Sequence, residues 1–203
     1  MSTKVTAPLN VEAGSDRLGP LLAARIRRER EARGWSVAAF AETSGVSRAM
    51  ISKVERAEAS PTASLLGRLS GALGFTVSTL LSRAEADGPG GHLARVADQG
   101  VWTDPETGYT RRALSPPSAD PELVLVELPP VAEVPYPAAS YAFLRGQCVW
   151  VLSGRLIVRQ GGEETPLRTG DALAFDLSTP RNCAFGNPSK AEPVRYLVAL
   201  ARR

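Results

Sequence analysis

Gly45-Val46-Ser47-Arg48-Ala49-Met50-Ile51-Ser52-Lys53-Val54-Glu55-Arg56 is the stretch that decides the first half of this chain. Gly45 suits a turn with positive φ. Ser47 is a good helix N-cap, because its hydroxyl can accept from a backbone N–H one turn on. A helix over about 48–56 then places Met50, Ile51 and Val54 inward, and leaves Arg48, Ala49, Ser52 and Lys53 outward. Just upstream, Ser36 caps a helix over about 37–43 with Val37, Phe40 and Ala41 on its inner face. Two short helices joined by a Gly-containing turn describe a helix-turn-helix.

The neighbouring residues extend this into a five-helix unit. Leu18, Leu21, Leu22 and Ile26 recur at helical spacing over about 18–33, and Gly34 ends that helix. Ser60-Pro61-Thr62 opens another, with Leu65, Leu66, Leu69 and Leu73 as its buried stripe, and Gly74 stops it before a short helix at about 77–82. Charge agrees with a polyanion partner. Residues 16–84 hold 11 Arg and Lys against 6 Asp and Glu, whereas residues 85–203 hold 12 against 14. That asymmetry points to nucleic acid binding in the first half.

A helix-turn-helix of this kind lays its second helix in the major groove. Arg48 can donate bidentately to a guanine, Lys53 can reach a guanine or a phosphate, and the Ala49 methyl can meet a thymine methyl. Ser52 shares that outward face, and the helix starts at Ser36, Ser47 and Thr62 offer N–H groups to phosphates. Glu55 is expected to hold Arg25 or another first-helix arginine. Arg27, Arg28 and Arg30 are expected in solvent, and Trp35 at the edge of the bundle. Residues 21–81 resemble an Xre/Cro-type helix-turn-helix domain, most specifically in the run Gly45-Val46-Ser47 to Ile51-Ser52-Lys53-Val54-Glu55-Arg56.

The second half has a different texture. Residues 1–15 read as a flexible tail, 16–84 as the helical domain, 85–92 as a Gly/Pro linker containing His92, and 93–203 as a β-domain. Of 16 prolines, 12 fall between Pro105 and Pro193, and apolar β-branched runs at 123–128, 148–152, 156–159 and 194–200 lie among them. That is strand-and-turn punctuation. Gly154, Gly161-Gly162 and Gly170-Asp171 read as hairpin turns. The 123–128 strand, followed by Pro129-Pro130, is expected at a barrel edge or a dimer contact. The run Val149 to Val158, with Leu167 to Asp176, Pro180-Arg181 and Asn187-Pro188, resembles the two-motif core of a cupin barrel.

The resemblance implies where a cupin metal would sit. Its histidine places fall near Tyr141 and Phe143 and on Arg181, and its glutamate place falls on Gln147. With a single histidine in the chain, a divalent-metal site is not expected, and no cofactor is implied. Strand alternation puts Gln147, Val149 and Val151 on one face and Cys148, Trp150 and Leu152 on the other. Tyr141, Gln147, Val149, Arg181 and Cys183 are the candidate lining of an apolar pocket for a small carboxylate, the alternative being Arg181 on the barrel rim and an interior filled with side chains. Nothing nearby lowers the pKa of Cys183, so it reads as a plain thiol.

The expected architecture is an all-α helix-turn-helix bundle followed by an all-β cupin-like barrel. Its expected role is a cytoplasmic, homodimeric, non-enzymatic transcriptional regulator of double-stranded DNA, controlled by a small molecule and without a membrane span. The alternatives are a metal-dependent cupin enzyme with a DNA-binding head and an antitoxin-like protein-interaction module.

Overall fold

In the computed structural model, residues 12–85, 93–116 and 119–202 are described. Residues 1–11 of the expected tail, and 86–92 of the expected linker with His92, lie outside them. The first half forms α1 (Glu12–Ala32), α2 (Val37–Ser44), α3 (Arg48–Glu55), α4 (Ala63–Leu73) and α5 (Val77–Glu85). Three of these starts are set by the expected caps. Ser36, Ser47 and Thr62 accept from the N–H groups of Ala39, Met50 and Leu65 at 3.1, 3.2 and 3.3 Å. Gly45 and Gly74 end α2 and α4 at φ 67° and 80°, the left-handed conformation that glycine adopts without penalty.

Three expectations need correction. Helix α1 begins at Glu12, so residues 12–15 are helical rather than tail. Leu21 and Met50 are 39% and 37% exposed, not inward. An eight-residue helix buries only a narrow stripe, and in α3 Ile51 and Val54 already fill it at 0% and 1% exposure. Phe40, Leu22, Ile26, Leu66 and Leu69 complete this core, each contributing about 1.5–3 kcal/mol by leaving water.

The second half forms β1 (Val101–Thr103), β2 (Thr110–Ala113), β3 (Glu122–Leu128), β4 (Glu133–Tyr136), β5 (Leu144–Ser153), β6 (Arg155–Gln160), β7 (Glu163–Arg168), β8 (Ala172–Ala174), β9 (Cys183–Gly186) and β10 (Val194–Arg202). They make a six-stranded sheet, β1-β2-β3-β10-β5-β8, and a four-stranded sheet, β4-β9-β6-β7. Every pairing is antiparallel. Alternate residues point between the sheets, as in β3, where Val124, Val126 and Leu128 are buried. Phe185 of one sheet stacks on Tyr196 of the other with centroids 5.8 Å apart. The 123–128 strand is not at an edge: β3 lies between β2 and β10. Its two prolines instead start a turn held by Asn187, whose amide donates to the carbonyls of Leu128, Pro129 and Glu192 at 3.0, 3.0 and 2.9 Å.

The two halves share one apolar core. Helix α4 lies on the 3-10 turn Ala138–Tyr141, where a Cβ on Gly71 would stand 3.2 Å from the Ala139 backbone. Polar groups pin the same joint. Ser140 Oγ donates to the Gly67 carbonyl at 3.1 Å, and Asp104 accepts from the Ala63 N–H at 3.1 Å. That carboxylate satisfies a donor at a helix start, where the macrodipole favours negative charge.

Candidate nucleic-acid interface and internal cavity

The exposed face of α3 carries Arg48, Ala49, Met50 and Lys53, with Ser52 half-buried beside them. The exposed N-caps Ser36 and Ser47 and the half-buried Thr62 stand at the starts of α2, α3 and α4. Met50 is the addition to this face that periodicity placed inside.

Arg27 and Arg28 are exposed as expected, and Glu55 holds a first-helix arginine, but that arginine is Arg30, which is not in solvent. Arg30 is 8% exposed and grips Glu55 through Nε at 2.7 Å and Nη2 at 2.9 Å. It is therefore structural, whereas Arg27 remains on the surface, paired with Glu31 at 2.8 Å. Arg25 does not reach Glu55. It joins Arg33 and Arg83 around Glu29 at 2.5, 2.8 and 3.1 Å. Burial pushes the Glu29 carboxyl up, but these guanidinium groups outweigh it and hold the carboxyl below its usual range. Trp35 packs against Phe40 with centroids 6.0 Å apart. Arg48 and Lys53 thus keep the outer face of α3 basic, and Arg28 of α1 and Arg68 of α4 are exposed as well.

Between the sheets and α5 lies a cavity of about 60 Å³. All four tyrosines of the chain line it: Tyr109, Tyr136, Tyr141 and Tyr196. Gln147 is in its wall, as alternation on β5 requires. Three expected lining residues are elsewhere. Val149 is fully buried in the sheet core. Cys183 borders an outer groove, where burial pushes its thiol up to about 11. Arg181 is exposed and lies over the hairpin glycine, within 2.8 Å of where a Cβ on Gly161 would be. It precedes β9 rather than lying within it, so it does not share the inward alternation.

The cation in the wall is instead Arg111 of β2, 8% exposed, which donates through Nη2 to Ser78 of α5. Sequence reading missed it because 93–139 carries weak strand signals. Nearby, Glu122 of β3 is 3% exposed and accepts from Thr76 and Thr79 at 3.3 and 3.2 Å. Arg202 stands 3.5 Å from the same carboxylate. Burial drives the Glu122 carboxyl above its usual range despite Arg111, Arg202 and the two threonine hydroxyls. This donor set does not fit a cupin metal. The places counted from the motif hold a phenol, a phenyl, an amide and an external guanidinium, and the cavity contains a fixed cation.

Residues 26–80 match the helix-turn-helix family model HTH_3. The HTH-type transcriptional regulator SutR of Escherichia coli (strain K12) is 35% identical over 74 residues, which are 36% of this chain and 42% of that protein. The chain thus aligns with less than half the length of that relative. A crystal structure of an HTH_3 family transcriptional regulator from Vibrio cholerae matches 93% of this chain and 99% of its own, with TM-score 0.72 and 19% identity. Weaker likenesses are to hydroxypropylphosphonic acid epoxidase from S. wedmorenis, at TM-score 0.44, 16% identity, and 90% and 97% coverage. A cupin-superfamily sugar phosphate isomerase from Silicibacter pomeroyi gives TM-score 0.38, 24% identity, and 47% and 60% coverage. The expectation of a non-enzyme is corrected here: an epoxidase aligns along most of the chain, so that exclusion does not stand. At these TM-scores neither likeness transfers any chemistry. Residues 26–80 are thus a helix-turn-helix domain, and a β-domain of two antiparallel sheets follows it.

Proposed function

We propose that this protein is a sequence-specific regulator of transcription that binds double-stranded operator DNA as a cytoplasmic homodimer and responds to a small molecule in its β-domain. The observation that carries the reading is α3. Its buried side is Ile51 and Val54, and its free side presents Arg48, Ala49, Met50 and Lys53 next to the Ser47 cap. In this reading Arg48, Ala49, Ser52 and Lys53 meet base edges or adjacent phosphates, while Ser36, Ser47 and Thr62 place backbone N–H groups at the phosphates.

One recognition helix reads only a few base pairs, so two copies about 34 Å apart on a palindromic site suit this function. The outer face of the larger sheet supports pairing. Trp150 and Leu152 are 48% and 37% exposed, and Leu197, half-buried, lies across from Trp150 and Leu125. Tyr141 and Gln147 remain the effector residues of this proposal, since both line the cavity. No helix of the described residues is long and apolar enough to cross a membrane.

Selection of bound duplexes from a random pool by the full chain tests the reading. Enrichment of a palindrome supports it. Recovery of unenriched sequence, with binding that salt abolishes uniformly, removes the sequence-specific role.

A further inference from the structure

The cavity belongs to both halves of the molecule. Thr76 and Val77, at the start of α5, form part of its wall, and the strands supply the rest. Its chemistry is uneven. Val126, Leu144, Val198 and Leu200 give it an apolar side. Beside Val126, its partner across the β2–β3 ladder, stands Arg111, whose guanidinium keeps its charge at any working pH.

The hydrogen-bond partners of Arg111 are neutral hydroxyls, those of Ser78 and Tyr136. Glu122 acts on it through space, but that carboxylate is engaged by Thr76, Thr79 and Arg202. A buried guanidinium has five donors, and an anion is the partner that best offsets its desolvation. The phenol oxygens of Tyr136 and Tyr109 lie 3.1 Å apart. Burial holds Tyr136 in its neutral, proton-donating form. A charge-assisted bond from a phenol to an oxyanion is stronger than the phenol–phenol contact it would replace. The space of about 60 Å³ holds roughly four water-sized groups, which limits the occupant to a few heavy atoms.

We infer that the tyrosine-lined cavity binds a small monocarboxylate, with its oxyanion on Arg111 and its short apolar tail against Leu144 and Leu200, and that α5 of the DNA-binding head closes the site. This rests on the regulator reading and deepens it by naming the effector class. Nη2 of Arg111 stays on Ser78 while its remaining donors take the carboxylate. The occupant therefore clamps α5 to the β-domain directly, with no signal required through residues 86–92.

The test is calorimetric titration of the full chain with formate, acetate, propionate and butyrate, with propylamine and propanol as cationic and neutral controls. The expected result is saturable binding of at least one carboxylate and of neither control. Arg111→Met should weaken it by about tenfold or more, and Tyr136→Phe by several-fold. Bound carboxylate should slow amide exchange in the first turn of α5. Absence of binding by all four acids at millimolar concentration overturns the proposal, as does equal binding of amine or alcohol. Unchanged affinity in a folded Arg111→Met chain also overturns it. If that variant does not fold, Tyr136→Phe decides, and wild-type affinity there overturns the proposal. DNA selection separates the two readings. Carboxylate binding without any effect on DNA affinity keeps the site and removes ligand control, whereas DNA binding without carboxylate binding removes the site alone.

Discussion

Arg30 and Glu55 are 25 residues apart and form a two-pronged ion pair, Nε to Oε1 at 2.7 Å and Nη2 to Oε2 at 2.9 Å, that ties the last turn of α3 to α1. The third prong, Nη1, donates to the Trp35 carbonyl at 2.7 Å, so one guanidinium fixes α1, α3 and the turn before α2. Both side chains are about nine-tenths buried. Removing one partner strands the other away from water, so Glu55→Ala should cost roughly 3 kcal/mol, seen as a lowered midpoint in thermal or urea unfolding. Adding Arg30→Met to it should recover part of that loss. An unchanged midpoint for Glu55→Ala would show that the pair is dispensable.

Arg48 makes no such contribution, because it is exposed on α3. Arg48→Ala should leave stability within about 0.5 kcal/mol of the parent. On a selected duplex it should cost about 1–3 kcal/mol in affinity and relax the preference at one base pair. Fluorescence anisotropy with matched and mismatched duplexes reads both, and equal discrimination by the two proteins removes Arg48 from the set of base readers.

The joint between head and β-domain depends on an absent side chain. At Gly71 a Cβ would meet the backbone carbon and oxygen of Ala139 at 3.2 Å, and a backbone cannot rotate aside as a side-chain tip can. Gly71→Val should therefore destabilise the chain by about 1–3 kcal/mol through overpacking. Scanning calorimetry measures this, and the parent transition temperature in the variant would contradict the packing argument.

Cys148 and Cys183 should differ in reactivity. Cys148 is half-buried, while Cys183 is 3% exposed with its thiol pushed up to about 11. The thiolate is the reactive species. At pH 8 a disulfide reagent should modify Cys148 in the folded chain and reach Cys183 only after denaturation. Rapid loss of both thiols under native conditions would contradict the burial of Cys183.

Glu122 predicts a pH slope. Burial raises its carboxyl in the folded state above the ordinary value near 4.3, so the folded chain binds this proton more tightly than the unfolded chain. The stability this contributes is full below the ordinary value and is lost as pH rises through the folded one. Glu122→Gln keeps an oxygen acceptor for Thr76 and Thr79 but cannot ionise. Its unfolding midpoint should therefore fall less than the parent's between pH 4.5 and 7, and parallel curves would assign the slope to other groups.

The features legible in the sequence are those with local causes. Ser36, Ser47 and Thr62 cap helices because a hydroxyl reaches a donor three residues away, and Gly45 and Gly74 end them through φ alone. The four strand runs likewise come from local composition, apolar β-branched residues set between prolines and glycines. What escaped is set by contacts distant in sequence. Arg111 meets Ser78 across 33 residues, and Glu122 meets Thr76 across 46. Counting from a motif placed a cation at Arg181, but β9 begins two residues later and Arg181 lies over Gly161. Met50 was placed inside because periodicity marks apolar residues without asking whether the core has room.

The gathering of every tyrosine of the chain around one cavity has a spectroscopic consequence. Near-ultraviolet absorption by phenol and phenolate comes from this single place, so the chain carries an intrinsic label for its own interior. Burial holds the phenols of Tyr136, Tyr141 and Tyr196 well above the ordinary phenol range. Alkaline ionisation of these three should wait for the walls to open. The rise of the phenolate band would then report the opening of the seam between head and β-domain, with no dye attached.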